Sequence, residues 1–286
     1  MAQKTGAGIG TFTFNGIRLM IGGLVLLPAV IFSYKKFNKN RADGDINLFD
    51  FKEALKGSLA CGTALFLGTT LQQHAFTYDL EAGKVAFITS LYMILVPILG
   101  IFLHRKAHLN LWIGVALGII GLYLICMNGS DFSGIGVGEI CALSCAVCFA
   151  FHILIVDYYC TRVNNILLSC GQFLFAGIIS MVCMFIFEDV NVNDVFDMAV
   201  PLLYAGIGSC GLGFTFQVFG QKTTEPALAA LLMCFESVFA AIFGWLILKD
   251  HLTARVLTGC AIMFAGVIAS QLDFSPKNKK EVNDND

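Results

Sequence analysis

Apolar runs of about 20 residues, separated by short polar or charged gaps, recur along the whole chain. They predict nine spans: 12 to 33, 54 to 74, 83 to 103, 109 to 127, 137 to 157, 166 to 187, 197 to 219, 226 to 248 and 252 to 272. At ~1.5 Å rise per residue a helix of this length crosses a bilayer core ~30 Å thick, whereas barrel strands would be half as long and would alternate. Only helices and closed barrels satisfy the backbone in lipid, so the pattern predicts an all-α fold, a polytopic membrane helix bundle with antiparallel neighbours across its short gaps. The longest gap, YKKFNKNRADGDINLFDFK, is basic, then polar, then amphipathic from Phe49, which predicts a short interfacial helix feeding the second span. After residue 272 the chain turns polar and charged, the composition of a disordered tail.

The pattern also repeats. A shift of 144 superposes Gly62 on Gly206, Gln73 on Gln217, Glu81 on Glu225, Ala86 on Ala230, Ile98 on Ile242 and Gly100 on Gly244. With one further residue inserted, Gly114, Ala116 and Gly121 meet Gly259, Ala261 and Gly266. The shift carries the third span onto the eighth, an odd number of crossings later, so the halves are inverted relative to each other. Inverted repeats are a common construction of secondary transporters, because two copies of one unit can exchange conformations and open one central site to either side in turn.

Composition agrees with the pattern: 57% hydrophobic, 13% charged and a mean hydropathy of +0.77 exclude a soluble pair of domains. Lys and Arg set the expected orientation. With the gap after the first span cytoplasmic, that side collects thirteen of them and the other side only Lys4, Lys84, Lys249 and Arg255, which places the C-terminus inside and the acidic loop from Glu188 to Asp194 outside. A net charge of -2 and the lack of a large basic block argue against a nucleic-acid partner. The eleven cysteines lie almost entirely inside spans as small apolar residues, which argues against a disulfide framework; the CxxC of Cys145 and Cys148 lacks the accessible partners of a metal or redox site.

Candidate chemistry is sparse and sits at depth. Glu236 lies near the middle of EPALAALLMCFESVFAAIFGWLILK, eleven residues from its start and thirteen from its end, where a carboxylate costs several kcal/mol unless it is partnered, hydrated or protonated. Two readings stand for it: a buried carboxyl holding helices in register, or a residue of a translocation path, where a proton-linked carrier would use it as a switch. Its repeat mate is Tyr92, near Thr89 and Ser90 in the third span. Gln72 and Gln73 end the second span, and His152 lies within the fifth. Arg18, six residues into the first span, suits interfacial anchoring or a structural pair as well as substrate contact, and Lys84 suits capping or snorkelling. Gly206, Gly208 and Gly211 spell GxGxxG without a strand or βαβ unit, so close helix packing is expected there, as for Gly114 with Gly118. The chain has no G-x4-G-K-[ST] and no H-E-x-x-H, so no catalytic residue, cofactor or metal ligand is assigned.

Three stretches carry a resemblance: FNGIRLMIGGLVLLP with Arg18, AGKVAFITSLYMILVPILG with Lys84 and Pro97, and PALAALLMCFESVFAAIFGWLILKD with Glu236, where Ser237 replaces a proline of the family motif and Asp250 stands as the closing acid. The chain resembles, over about residues 10 to 272, the EamA-type transporters of the drug/metabolite transporter superfamily. That resemblance implies a 10-helix (5+5) inverted-repeat fold, with a first repeat in residues 1–128 apparently lacking its first helix, a second in 137–272, and a cytoplasmic tail in 273–286. It implies a secondary-active carrier of small metabolites, amino acids or related compounds among them, with export as the expected direction and a proton or ion gradient as the driver. Glu236, Tyr92, Gln72, Gln73, Ser90, His152 and Arg18 are the residues expected along its path. The expected setting is the lipid bilayer of the plasma membrane, and the oligomeric state is left open. An intramembrane enzyme and a non-transporting scaffold are the alternatives. The repeat and the charge count together predict an additional apolar segment upstream of Met1, without which a groove would expose Arg18 and the polar residues of the third span.

Overall fold

The computed structural model describes residues 9–40, 47–78, 80–105, 108–127, 135–248 and 253–272. The tail from residue 273, and Asp250 of the third motif, lie outside the described residues. Among those described, nine segments are long and apolar enough to span a membrane, and every regular element is helical.

Helix α1 (Thr11–Asn40) is continuous through Pro28 for 30 residues. That is ~45 Å, more than a bilayer core needs, so its last turns carry Lys35, Lys36 and Lys39 beyond the apolar stretch. Its start is fastened from a distance: the Glu188 carboxylate accepts hydrogen bonds from the backbone N–H of Phe12 at 2.8 Å and Thr13 at 2.7 Å, and from the Thr13 hydroxyl at 2.7 Å. A carboxylate there satisfies orphan amides and meets the positive end of the helix dipole. Gly10 makes room for it with a φ of +93°, a conformation that favours glycine; a Cβ there would sit 2.5 Å from a Glu188 oxygen.

Helix α2 (Phe51–Ala75) begins at the Asp50 cap, which accepts from the Lys52 and Glu53 amides. The helix is one continuous rod from there, so the expected separate interfacial helix is instead its first turns. The third span divides into α3 (Ala82–Thr89) and α4 (Tyr92–Phe102), and α5 (Leu109–Cys126) closes the first half. The second half runs α6 (Val137–Tyr159), α7 (Asn165–Phe187), the short α8 (Val192–Asp197) and α9 (Ala199–Leu203), and then an 11-residue π-helical segment, Tyr204–Phe214, continued by α10 (Thr215–Gln221). The eighth span divides into α11 (Pro226–Met233) and α12 (Phe235–Leu248), and α13 (Ala254–Gln271) ends the bundle.

Packing follows the repeat. Helices α5 and α13 pair through glycines: a Cβ on Gly121 would lie 2.7 Å from the Gly259 carbonyl oxygen and the reverse also holds at 2.7 Å, while Gly114 and Gly266 approach each other at 2.7 and 2.9 Å. Exchanging each glycine for its repeat mate turns one contact into the other, as a two-fold axis between the helices requires. Helix α1 packs on α7, and α2 packs on α6 and α7. The largest apolar core joins Val85, Met93, Val96, Leu122, Ile153, Leu231, Val238 and Met263 around the centre. Large apolar side chains such as Phe102, Phe185, Phe216 and Ile268 remain exposed around the outside, the surface a bilayer covers.

Candidate functional site

The two halves touch at equivalent residues. Ser90 and Cys234 differ by the repeat offset, and the Cys234 thiol lies 3.9 Å from the Ser90 carbonyl oxygen. A residue meets its own repeat mate only on the axis that relates the halves. Both helices are broken at this point: α3 stops at Thr89 and α4 starts at Tyr92, while α11 stops at Met233 and α12 starts at Phe235. A broken helix frees backbone polar groups at membrane depth, which is tolerated where they are buried in protein or line a cavity.

Tyr92 and Glu236 flank the axis as repeat mates. The half-buried Tyr92 side chain contacts that of Cys234, and the Glu236 carboxylate is near enough to both to act on them electrostatically. Glu236 lies in the first turn of α12, where the helix dipole favours an anion; it is exposed and makes no hydrogen bond or ion pair among the described residues. Towards the first helix of the fold, rings stack edge to face from Tyr92 to Phe149, His152, Phe214 and Phe173, with centroids 6.5, 6.5, 6.2 and 6.1 Å apart. His152 is fully buried and its Nε2 is 2.9 Å from Gln172 Oε1. On the other side of Ser90, Cys145 of α6 lies against the Thr89 side chain and the backbone of Gln72. Gln72 is half-buried and Gln73 buried, both in the last turns of α2.

Arg18 is 2% exposed, which excludes interfacial anchoring among the roles expected for it. Two glycines account for this. A Cβ on Gly22 would meet Cys210 at 2.7 Å, and one on Gly206 would lie 3.0 Å from the Arg18 carbonyl oxygen, so α1 sinks onto the π-helical segment and takes Arg18 with it. Gly208 does not share that packing role: a Cβ there would meet only the Tyr204 ring, at 3.9 Å, and the residue instead belongs to the wide turn of the π helix. Lys84, 8% exposed, is neither a cap nor a snorkelling cation but pairs with Glu139 of α6 at 2.5 Å. At the opposite end Arg105 pairs with Asp157, so the broken span α3–α4 is tied to α6 at both ends.

The groove expected to expose Arg18 and the polar residues of the third span is not seen at those residues. Ser90 and Thr89, like Arg18, are buried. An exposed stripe on α12 runs from Glu236 through Phe239 and Ala240 to Phe243. Its repeat mates on α4 (Tyr92, Leu95, Val96 and Leu99) are half-buried or buried, with α4 packed on α6. The stripe lies on the counterpart of the face of α4 that α6 covers.

Three residues of this region escaped the sequence reading. Cys234 was findable as the repeat mate of Ser90, and Asn15 as a polar residue one turn before Arg18 in an apolar run. Gln172 offered no signal beyond being polar within a span.

Similar proteins frame this geometry. The model of the EamA-like transporter family matches residues 1–127 and again 136–271. An uncharacterized transporter of Archaeoglobus fulgidus is 28% identical over 262 residues, covering 91% of this chain and 77% of the relative. The uncharacterized transporter YoaV of Bacillus subtilis is 25% identical over 284 residues, 96% of this chain and 92% of that one. A solved crystal structure shares the fold with a TM-score of 0.73 at 16% identity, over 94% of this chain and 91% of the other.

Proposed function

The chain belongs to the EamA-like transporter family, and from that premise we propose that it is a secondary-active carrier of a small metabolite working by alternating access around the Ser90–Cys234 axis. The observation that carries this reading is the coincidence of two helix breaks, the repeat axis and the Tyr92–Glu236 pair at one depth. Transporters built from inverted repeats hold solutes and ions at discontinuous helices near the midplane. Here the solute sits against the broken ends, with Tyr92 offering a hydroxyl and Glu236 a carboxylate that takes up and releases the coupling proton. Ser90, Gln72, Gln73 and His152 line the approach. The ion pairs at both ends of α3–α4 make that span and α6 move as one body while the opposing broken span, α11–α12, rocks past it.

The protein works in the plasma membrane, with the 35–52 gap inside and the 188–195 loop outside, and export is its direction. The test is flux of labelled metabolites, amino acids first, in proteoliposomes holding an imposed pH gradient. Gradient-dependent movement of a solute supports the carrier. A full metabolite panel left unmoved at every gradient, by protein that remains folded, contradicts it.

A further inference from the structure

The polar groups in the wall between α1 and α7 are not used by the axis. Arg18 is 2% exposed; its neighbours are the Phe14 ring, 5.2 Å from the guanidinium carbon, and Cys210. Among the described residues no carboxylate is in ion-pair range of it, and its Nε is buried without a hydrogen-bond partner. Asn15, one turn earlier on the same helix, is 0% exposed, and both its amide oxygen and its amide nitrogen lack partners. The Ser180 hydroxyl on α7 is likewise buried and unpartnered, next to Met181, whose backbone faces Gly16 of α1. Two buried side chains with unsatisfied polar atoms thus lie one turn apart on α1, and a third lies on α7, the helix against which α1 packs. Burying an arginine in a dry interior costs several kcal/mol unless a counter-charge and hydrogen bonds compensate.

We propose that Arg18, with Asn15 and Ser180, is the anion-receiving end of the translocation path and takes the carboxylate of the transported solute. The proposal rests on the carrier reading for what happens next, but the binding step stands apart from it. A guanidinium presents its N–H donors as a planar fork that matches a carboxylate, and the Asn15 amide and Ser180 hydroxyl supply further donors to the same oxygens. One buried positive charge is neutralised by a monoanion. A phosphate, at about -1.5 to -2 near neutral pH, would leave excess charge in the membrane interior.

The experiment is thermal unfolding of the purified full-length chain, titrated with propionate, with neutral propionamide and with inorganic phosphate at matched ionic strength. Propionate at saturation is expected to raise the transition by about 2–4 °C, with no rise from propionamide or phosphate. Arg18→Gln is expected to abolish the response while melting no lower than the unliganded parent, because it removes an uncompensated charge; Arg18→Lys keeps a weaker response. A transition that propionate leaves unmoved overturns the proposal, as does a response that survives in Arg18→Gln or one given by phosphate instead. So does an unliganded Arg18→Gln that melts far below the parent, the result for a structural pair. A propionate response without any flux would remove the carrier and leave the anion site; flux without the response would do the opposite.

Discussion

Tyr92 and Glu236 are one position seen twice, and the chemistry differs between the copies. An exact two-fold site would hold two acids or two phenols; here a carboxyl and a phenol hydroxyl flank the axis. Glu236→Gln keeps size and removes the charge, so coupled flux is expected to fall at least about tenfold, equivalent to ~1.4 kcal/mol or more of lost stabilisation, with folding retained. A Gln variant that transports with an unchanged pH profile makes Glu236 structural. Tyr92→Phe loses only the hydroxyl at Cys234 and is expected to retain the pH profile, which the same flux assay reads. Both residues were legible in the sequence, Glu236 from an acid in an apolar run and Tyr92 from the offset. The burial of Arg18 was not, because it depends on how closely Gly22 and Gly206 let two distant segments approach.

At the scale of elements, the nine spans and their inversion follow from hydropathy and spacing, but the breaks do not. No glycine or proline marks TSLY or MCF, and Pro97 lies inside the intact α4. Tertiary contact at the axis, not local propensity, sets where those helices stop. The π-helical segment is a similar case: its glycines are visible, yet the equivalent stretch of the first half, residues 60 to 70, lies in the regular helix α2. Glycine contacts give a paired prediction. Gly121→Ala places a methyl 2.7 Å from a backbone oxygen, and a loss of about 1–3 kcal/mol is expected. Gly220→Ala, with nothing within 4 Å, is expected to be neutral or to stabilise by up to ~1 kcal/mol. Unfolding in mild detergent compares the two. By the same assay, Glu188→Ala uncaps α1 and is expected to cost about 0.5–2 kcal/mol.

For the whole molecule, the two halves are inverted copies around one axis, and the thirteen-to-four charge bias predicts which end faces the cytoplasm. Asn193, exposed in α8, reports that orientation: Asn193→Cys in a background without native cysteines is expected to react with impermeant reagents only from outside, and labelling only from inside reverses the topology. The central claim is that the axis site opens to water on each side in turn. Its most direct measurement uses single Glu236→Cys and Tyr92→Cys variants in the same background, in sealed vesicles, with a charged impermeant thiol reagent applied to one face at a time. Alternating access predicts modification of each from both faces. Reaction of position 236 with lipid-soluble reagents alone, and with the charged reagent from neither face, would contradict it.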